Sequence, residues 1–263
     1  MESEIIIKEK IHGLLVTPEE VKGKIPAVLL FHGFGTDKNE VGNIFETFAN
    51  QLAASGIASL RIDFSGFGQS SIESSQVTLD NMIDDANDAY DYLAHLDFID
   101  KERIGACGFS LGAGITVMLA STNKAPLKSI ILLAPAGNLI EDFKTHIGES
   151  VVNDALQAGP EELIEIKFDW RDKLVMSPAF FKNLRDHDLK SKISQFKGAF
   201  FAVAGTDDFT CAHAMDYHDK VNSADKKLWL IAKANHVFNF GDDSWELGQY
   251  VVEKCTEQFT RTL

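Results

Sequence analysis

Cysteine is scarce in this chain of 263 residues: there are three, Cys107, Cys211 and Cys255, far apart and in no C-x-x-C spacing. That excludes a disulfide scaffold and fits reduced thiols in a cytoplasmic setting. Basic residues are also in deficit, 25 Lys and Arg against 39 Asp and Glu, for a net charge of −14. A surface of that sign repels phosphate-rich partners, so neither nucleic acid nor an anionic membrane is expected as one. No apolar run approaches the roughly 18 residues that cross a bilayer. Met1-Glu2-Ser3-Glu4 carries two acids and opens no leader-like apolar region, so no secretory signal is expected. Nucleotide and metal motifs are missing too. There is no G-x-x-x-x-G-K-[ST], no G-x-G-x-x-G after the first strand, no H-E-x-x-H and no Cys/His cluster. Neither a cofactor nor a metal is therefore expected.

What the chain does have is alternation. With 45% hydrophobic and 24% charged residues it is ordinary globular material, and its length suits one large domain carrying an insertion. Ile5–Ile7 and Leu14–Val16 read as an antiparallel opening hairpin. Ile25–Phe31 is a continuous apolar run of strand length, as expected of a parallel strand covered on both faces. A helix is expected through Val41, Ile44, Phe45, Phe48 and Leu52, then a strand over Ile57–Ile62, then a helix from Leu79 to Leu93. Strands follow at Arg103–Cys107, Ile130–Leu133, Ala199–Ala204 and Leu228–Ile231, and a last helix from about Asp243 to Thr260. Strand and helix in turn over a whole chain predict an α/β fold with a doubly wound, mostly parallel sheet.

One segment breaks the rhythm. Between Pro135 and Lys190 lie about 50 residues without an apolar strand run, against a usual αβ connection of 2–6. Helical patterns appear at Ile140–Ile147, Val151–Ala158 and Glu161–Phe168. The expected organisation is a core of residues 1–136 and 190–263 with a mainly helical cap inserted over 137–189. Aromatics of the cap, Phe143, Trp170, Phe180 and Phe181, are candidate walls of a substrate pocket, together with Phe238 beyond the last strand.

Gly108-Phe109-Ser110-Leu111-Gly112 carries the chemistry. A buried strand precedes it and a helix is expected from Leu111 to Ser121. A serine between the two sits on a turn so tight that its flanking positions favour glycine, and its hydroxyl stands above the sheet at a helix N-terminus. A hydroxyl is a poor nucleophile until a base takes its proton and a third group orients that base. In this arrangement acid and base follow the serine along the chain, each at the end of a later strand. Gly205-Thr206-Asp207-Asp208 ends one such strand, and Ala232-Lys233-Ala234-Asn235-His236 ends the other. His236 is the candidate base. Asp207 and Asp208 are both candidate acids, and pattern alone does not separate them.

An oxyanion needs two N–H donors. The backbone N–H of Leu111 is one candidate. The other is that of Phe34, in His32-Gly33-Phe34-Gly35 directly after an expected strand. The remaining histidines read as surface, helix or loop residues; of these His146 and His187 fall in the expected cap and are the two that could touch substrate. Cys107 lies inside the strand before Ser110 and reads as a core thiol.

His32–Gly35, Arg61-Ile62-Asp63-Phe64-Ser65-Gly66-Phe67-Gly68-Gln69-Ser70, Gly108–Gly112, Gly205–Asp208 and His236-Val237-Phe238 occur in that order. Together they resemble the α/β-hydrolase superfamily, nearest to bacterial cinnamoyl or feruloyl esterase-like and dienelactone-hydrolase-like proteins. The resemblance covers nearly the whole chain. It implies Asp208 as the acid, Ser110 and His236 as its partners, and Phe34 and Leu111 as oxyanion donors. Three positions depart from the usual pattern: Phe109 stands where His or Tyr is usual, Leu111 where Gln is usual, and Gln69 where Asp usually precedes the last serine of its stretch. Dienelactone hydrolases use a cysteine nucleophile, which Ser110 replaces.

The function implied is hydrolysis of a small or medium carboxylic ester by a carboxylesterase-type serine enzyme. A peptidase, amidase or thioesterase of the same fold is the alternative, and a non-catalytic ligand-binding protein is a third. The expected partner is a small-molecule ester, with a homodimer admitted.

Overall fold

The structure, a computed structural model, describes residues 1–122, 124–168, 171–239 and 245–263. The chain opens with β1 (Glu2–Ile7) and β2 (Ile11–Val16), an antiparallel pair whose reversal holds Lys8 and Glu9 at left-handed φ of 49° and 61°. It continues through β3 (Ile25–Phe31), α1 (Ile44–Ala54), β4 (Ala58–Ile62), α2 (Leu79–Ala94), β5 (Ile99–Phe109), α3 (Leu111–Ala120) and β6 (Ser129–Leu133). The long connection then holds α4 (Leu139–Ile147), α5 (Glu149–Gln157), β7 (Ile164–Ile166), β8 (Leu174–Met176), α6 (Pro178–Leu184) and α7 (Leu189–Lys192). The chain closes with β9 (Ala199–Gly205), α8 (Cys211–Lys220), β10 (Lys226–Ile231) and α9 (Glu246–Thr262).

Eight of these strands form one sheet in the order β1-β2-β4-β3-β5-β6-β9-β10, parallel from β4 onward and antiparallel at the β1–β2 edge. The continuous apolar runs are explained by two-sided burial. Along β3, Ala27, Leu29 and Phe31 join the core under α2, α3 and α8, while Val28 and Leu30 join the core under α1 and α9. Alternation of side chains across a pleated strand serves both layers at once, so no position of the run is left for a polar residue. Local signals agree with this layering. Thr78 and Asn81 form a reciprocal capping box that starts α2, worth about 1 kcal/mol.

The structure departs from expectation at two places. Val41–Asn43 form a separate 3₁₀ turn with Gly42 at φ 63°, and α1 begins only at Ile44. The stretch expected as a helix over Glu161–Phe168 instead contains β7, paired antiparallel with β8. Ile164 and Ile166 flank Glu165 with period 2 rather than 3.6. Ile166 is buried against the core, while Glu165 faces out to an ion pair with Lys173 at 2.7 Å. The long connection is thus helical with one small added sheet. Asp243, the expected start of the last helix, lies outside the described residues. No helix among the described residues is long and apolar enough to cross a membrane.

In an open parallel sheet the loops beyond the C-terminal strand ends share one edge. Here that edge gathers the ends of β3, β5, β9 and β10.

Candidate active site

Ser110 follows the last residue of β5 and precedes the first of α3, and its backbone is held at φ 53°, ψ −114°. Such angles are strained for a residue with a Cβ, and the surroundings must enforce them. They do so by close approach. A Cβ on Gly108 would lie 2.1 Å from the Gly112 carbonyl oxygen, and one on Gly112 would lie 2.1 Å from that of Phe31. Both glycines are therefore required by the backbone packing. The Ser110 carbonyl oxygen accepts from Ala113 (3.1 Å), Gly114 (3.3 Å) and Ala136 (3.0 Å), which anchors the turn from two sides. Tyr217, fully buried on α8, donates its hydroxyl to the Ala136 carbonyl at 2.6 Å and so braces the same loop.

The Ser110 hydroxyl lies 3.0 Å from His236 Nε2, and His236 Nδ1 lies 3.0 Å from Asp208 Oδ1. The ring is set between aromatics: Phe209 stacks on it at 4.9 Å between centroids, and Phe109 meets it edge-on at 5.3 Å. Asp208 is buried and also accepts from the Thr210 backbone N–H at 3.0 Å and from the Thr210 hydroxyl. Burial opposes its ionisation, but the hydrogen bond and charge of His236 and the two Thr210 bonds outweigh that and hold the carboxyl below its ordinary value. Asp207 is exposed, its carboxylate beside Thr206 at 3.4 Å, and makes no contact with His236. Of the two candidate acids, the fold turns Asp208 to the histidine.

The loop after β3 lies opposite. His32 is fully buried; its Nε2 accepts from the Phe64 N–H at 3.1 Å, so its Nδ1–H donates to the Gly33 carbonyl at 2.7 Å. Burial pushes the imidazole below its ordinary value, which keeps it in this neutral form. Gly33 C=O and Phe34 N–H belong to one trans peptide unit and point in opposite directions. Fixing the carbonyl on His32 turns the Phe34 N–H the other way. Neither the Phe34 nor the Leu111 N–H has a hydrogen-bond acceptor among the described residues, so both remain available as donors.

A cavity of about 240 Å³ opens over Ser110 and His236, walled by Phe34, Val41, Phe109, His146 and Val237, with Gly33, Thr36 and Glu40 at its base. Its lining differs from the sequence expectation. Phe143, Phe180 and Phe181 are buried in one aromatic cluster that stacks behind Phe34 (Phe34–Phe180 5.5 Å, Phe143–Phe180 5.5 Å), and they do not line the cavity. Their apolar surface is spent on one another and on the oxyanion loop. Phe238 is fully buried behind Phe109 at 6.2 Å between centroids and is likewise absent from the wall. Trp170 lies outside the described residues. In the sequence Val41 and Val237 figure only as a helix position and as a motif neighbour of His236, and Glu40 does not figure; nothing local marks any of the three as lining a cavity. Cys107 is fully buried and its thiol is pushed far above the ordinary range by burial, so it is not exposed for chemistry. Among the described residues no group of His, Cys, Asp and Glu is arranged to hold a metal.

A mostly parallel sheet carrying a strained serine elbow within reach of a half-buried histidine backed by a buried aspartate defines the α/β-hydrolase class. A family model described as alpha/beta hydrolase fold matches residues 26–159, just over half of the chain, and the chain belongs to that family. Esterase FrsA from Escherichia fergusonii is 30% identical over 135 residues, which are 51% of this chain and 31% of that protein. An uncharacterized 31.7 kDa protein of Escherichia coli is 30% identical over 121 residues, 45% of this chain and 41% of its own. The matched region thus spans less than half the length of these curated relatives. Among solved structures, Est1E from Butyrivibrio proteoclasticus with bound ferulic acid superposes with a TM-score of 0.76 at 18% identity, over 99% of this chain and 98% of that one. Dienelactone hydrolase from Anabaena variabilis superposes at 0.67 with 17% identity, over 100% and 97%.

Proposed function

We propose that this chain is a serine hydrolase that cleaves a small or medium carboxylic ester through an acyl-enzyme on Ser110. The observation that carries this reading is the pair of 3.0 Å contacts joining Ser110, His236 and Asp208 on a strained elbow. His236 Nε2 takes the Ser110 proton as Oγ attacks the ester carbonyl carbon. Asp208 holds the Nδ1–H and stabilises the imidazolium that results. The negative charge arriving on the carbonyl oxygen is met by the N–H groups of Phe34 and Leu111. The intermediate then collapses. The C–O bond to the alcohol breaks, the leaving oxygen takes the proton from His236, and the acyl group stays on Ser110. Water, deprotonated by the same imidazole, repeats the attack and releases the acid.

The size of the cavity supports the substrate class. At about 240 Å³ it lies below the 300–1,000 Å³ of drug-sized sites, with room for a short or medium acyl group against Val41, Phe109 and Val237. Residues 137–189 form the cap of this reading, with the core on either side, since α4 brings His146 to the cavity wall.

The test is a panel of p-nitrophenyl esters of rising acyl length beside acyl thioesters and aminoacyl anilides. The highest kcat/KM is expected on short and medium esters. Faster turnover of thioesters or anilides would move the chain to those classes, and no turnover of any would make it a ligand-binding protein.

A further inference from the structure

Glu40 is a charged side chain at the base of the cavity that the acyl-transfer scheme above does not use. The residue is 6% exposed and sits at φ 61°, a conformation that costs a side-chain-bearing residue energy and persists only where contacts enforce it. Those contacts converge on its carboxylate. Oε2 accepts from the Gly33 N–H at 2.5 Å and from the Thr36 hydroxyl at 3.1 Å, while Oε1 accepts from the Val41 N–H at 2.9 Å. A Cβ built on Gly33 would stand 3.4 Å from Glu40 Oε2 and 3.4 Å from Ser110 Cβ, so carboxylate, glycine and serine crowd one point.

Gly33 lies between two peptide units. The second carries the Phe34 N–H and is held through its carbonyl by His32 at 2.7 Å, with the Thr36 hydroxyl also within 3.1 Å of that oxygen. The first carries the Gly33 N–H and is held by Glu40 alone. Glycine has no side chain to limit its rotation, so both anchors are needed to fix the direction of the Phe34 N–H between them. A charge-assisted bond is about twice as strong as a neutral one, which suits an anchor on so free a residue.

We propose that Glu40 is a positioning residue for the oxyanion donor: its carboxylate locks the Gly33 amide and thereby aims the Phe34 N–H at the reacting carbonyl. This rests on the serine-hydrolase reading above. Glu40 touches no reacting atom and acts through Gly33. A glutamine in its place keeps the volume but has one acceptor oxygen, so its NH₂ group must face either the Gly33 and Thr36 donors or the Val41 donor.

The test compares Glu40→Gln with the wild type on a short p-nitrophenyl ester and its thiono analogue, in which sulfur replaces the carbonyl oxygen. Sulfur accepts hydrogen bonds weakly, so the ratio of oxo to thiono turnover reports the oxyanion donors specifically. Removing a donor outright costs about 10²–10³ in kcat, and misaiming one is expected to cost about 10–100-fold, with KM changed less than about threefold. The oxo-to-thiono ratio should narrow by a similar factor. A wild-type kcat in both Glu40→Gln and Glu40→Leu, the latter with no acceptor in any orientation, or an equal loss on both substrates with the ratio unmoved, overturns the assignment. Should Glu40→Gln fail to fold, Glu40→Asp keeps the charge but draws it back by one methylene from the Gly33 N–H, and the same ratio is read. A narrowed ratio there supports the assignment and a wild-type ratio overturns it. If the wild type turns over neither ester, the serine-hydrolase reading itself fails and takes this inference with it. Wild-type turnover with an unmoved ratio in the variants sinks Glu40 alone.

Discussion

A Cβ on Gly112 would lie 2.1 Å from the carbonyl oxygen of Phe31, at the point where α3 crosses the end of β3. The backbone of one element rests directly on that of the other, and the clash is with main chain, which cannot swing away as a flexible side chain would. That contact sets the height of Ser110 above the sheet and its distance from the loop carrying Phe34. Gly112→Ala must push α3 off β3, and is expected to destabilise the fold by at least about 1–3 kcal/mol, the range for overpacked interiors. Urea unfolding of the variant measures it. Unfolding at the wild-type midpoint would show that the two backbones are not locked together.

Asp208 and Asp207 separate by substitution. Asp208→Asn is expected to lower kcat by about 10⁴, because an amide opposite His236 Nδ1 favours the wrong tautomer and cannot stabilise the imidazolium. Asp207→Asn, at an exposed carboxylate, should retain most of the activity. Steady-state kinetics on one responsive ester decides it, and equal losses would remove the distinction.

The same carboxylate gives stability a pH dependence of known sign. Asp208 is held below its ordinary value of 3.8 in the folded state, so the native protein binds fewer protons than the unfolded chain between the two values. Its contribution is present above the unfolded value and is lost as pH falls through the folded one. Asp208→Asn should therefore flatten the slope of unfolding free energy against pH below about pH 4. Denaturant titrations across that range test it, with an unchanged slope as the contrary result.

Cavity wall and aromatic cluster predict different phenotypes. Val237→Phe fills space above Ser110 and should shift preference toward shorter acyl groups by about 1–3 kcal/mol. Phe181→Ala removes a fully buried ring from the cluster and should cost about 3–5 kcal/mol of stability while leaving acyl preference unchanged. The ester panel and thermal unfolding, run on both variants, discriminate. A changed preference in Phe181→Ala would return that ring to the pocket.

These cases also show where reading a sequence runs out. The elbow was legible because tight backbone crossings admit only glycine, so Gly108 and Gly112 write the geometry into the chain. The buried strands were legible because two-sided burial leaves no polar position in β3 or in the Ile130–Leu133 run of β6. The choice between Asp207 and Asp208 was not, since neighbouring turn carboxylates differ only in the direction the chain takes beyond Gly205. Phe143, Phe180 and Phe181 were expected as pocket walls and pack on one another instead, because composition does not say whether a ring faces a cavity or another ring. Three residues of alternation in β7 are too few to distinguish a strand from a helix turn when the partner strand is remote. Glu40 gave no signal, because its meaning lies in the Gly33 amide it meets in space.

The account stands most directly on the nucleophile. Treatment with a fluorophosphonate followed by peptide mapping should place a single stoichiometric adduct on Ser110, because only a serine whose proton is drawn by a neighbouring base attacks phosphorus at a useful rate. Ser110→Ala should take up no label. An adduct on any other residue, or labelling of Ser110→Ala at the wild-type rate, would contradict the account.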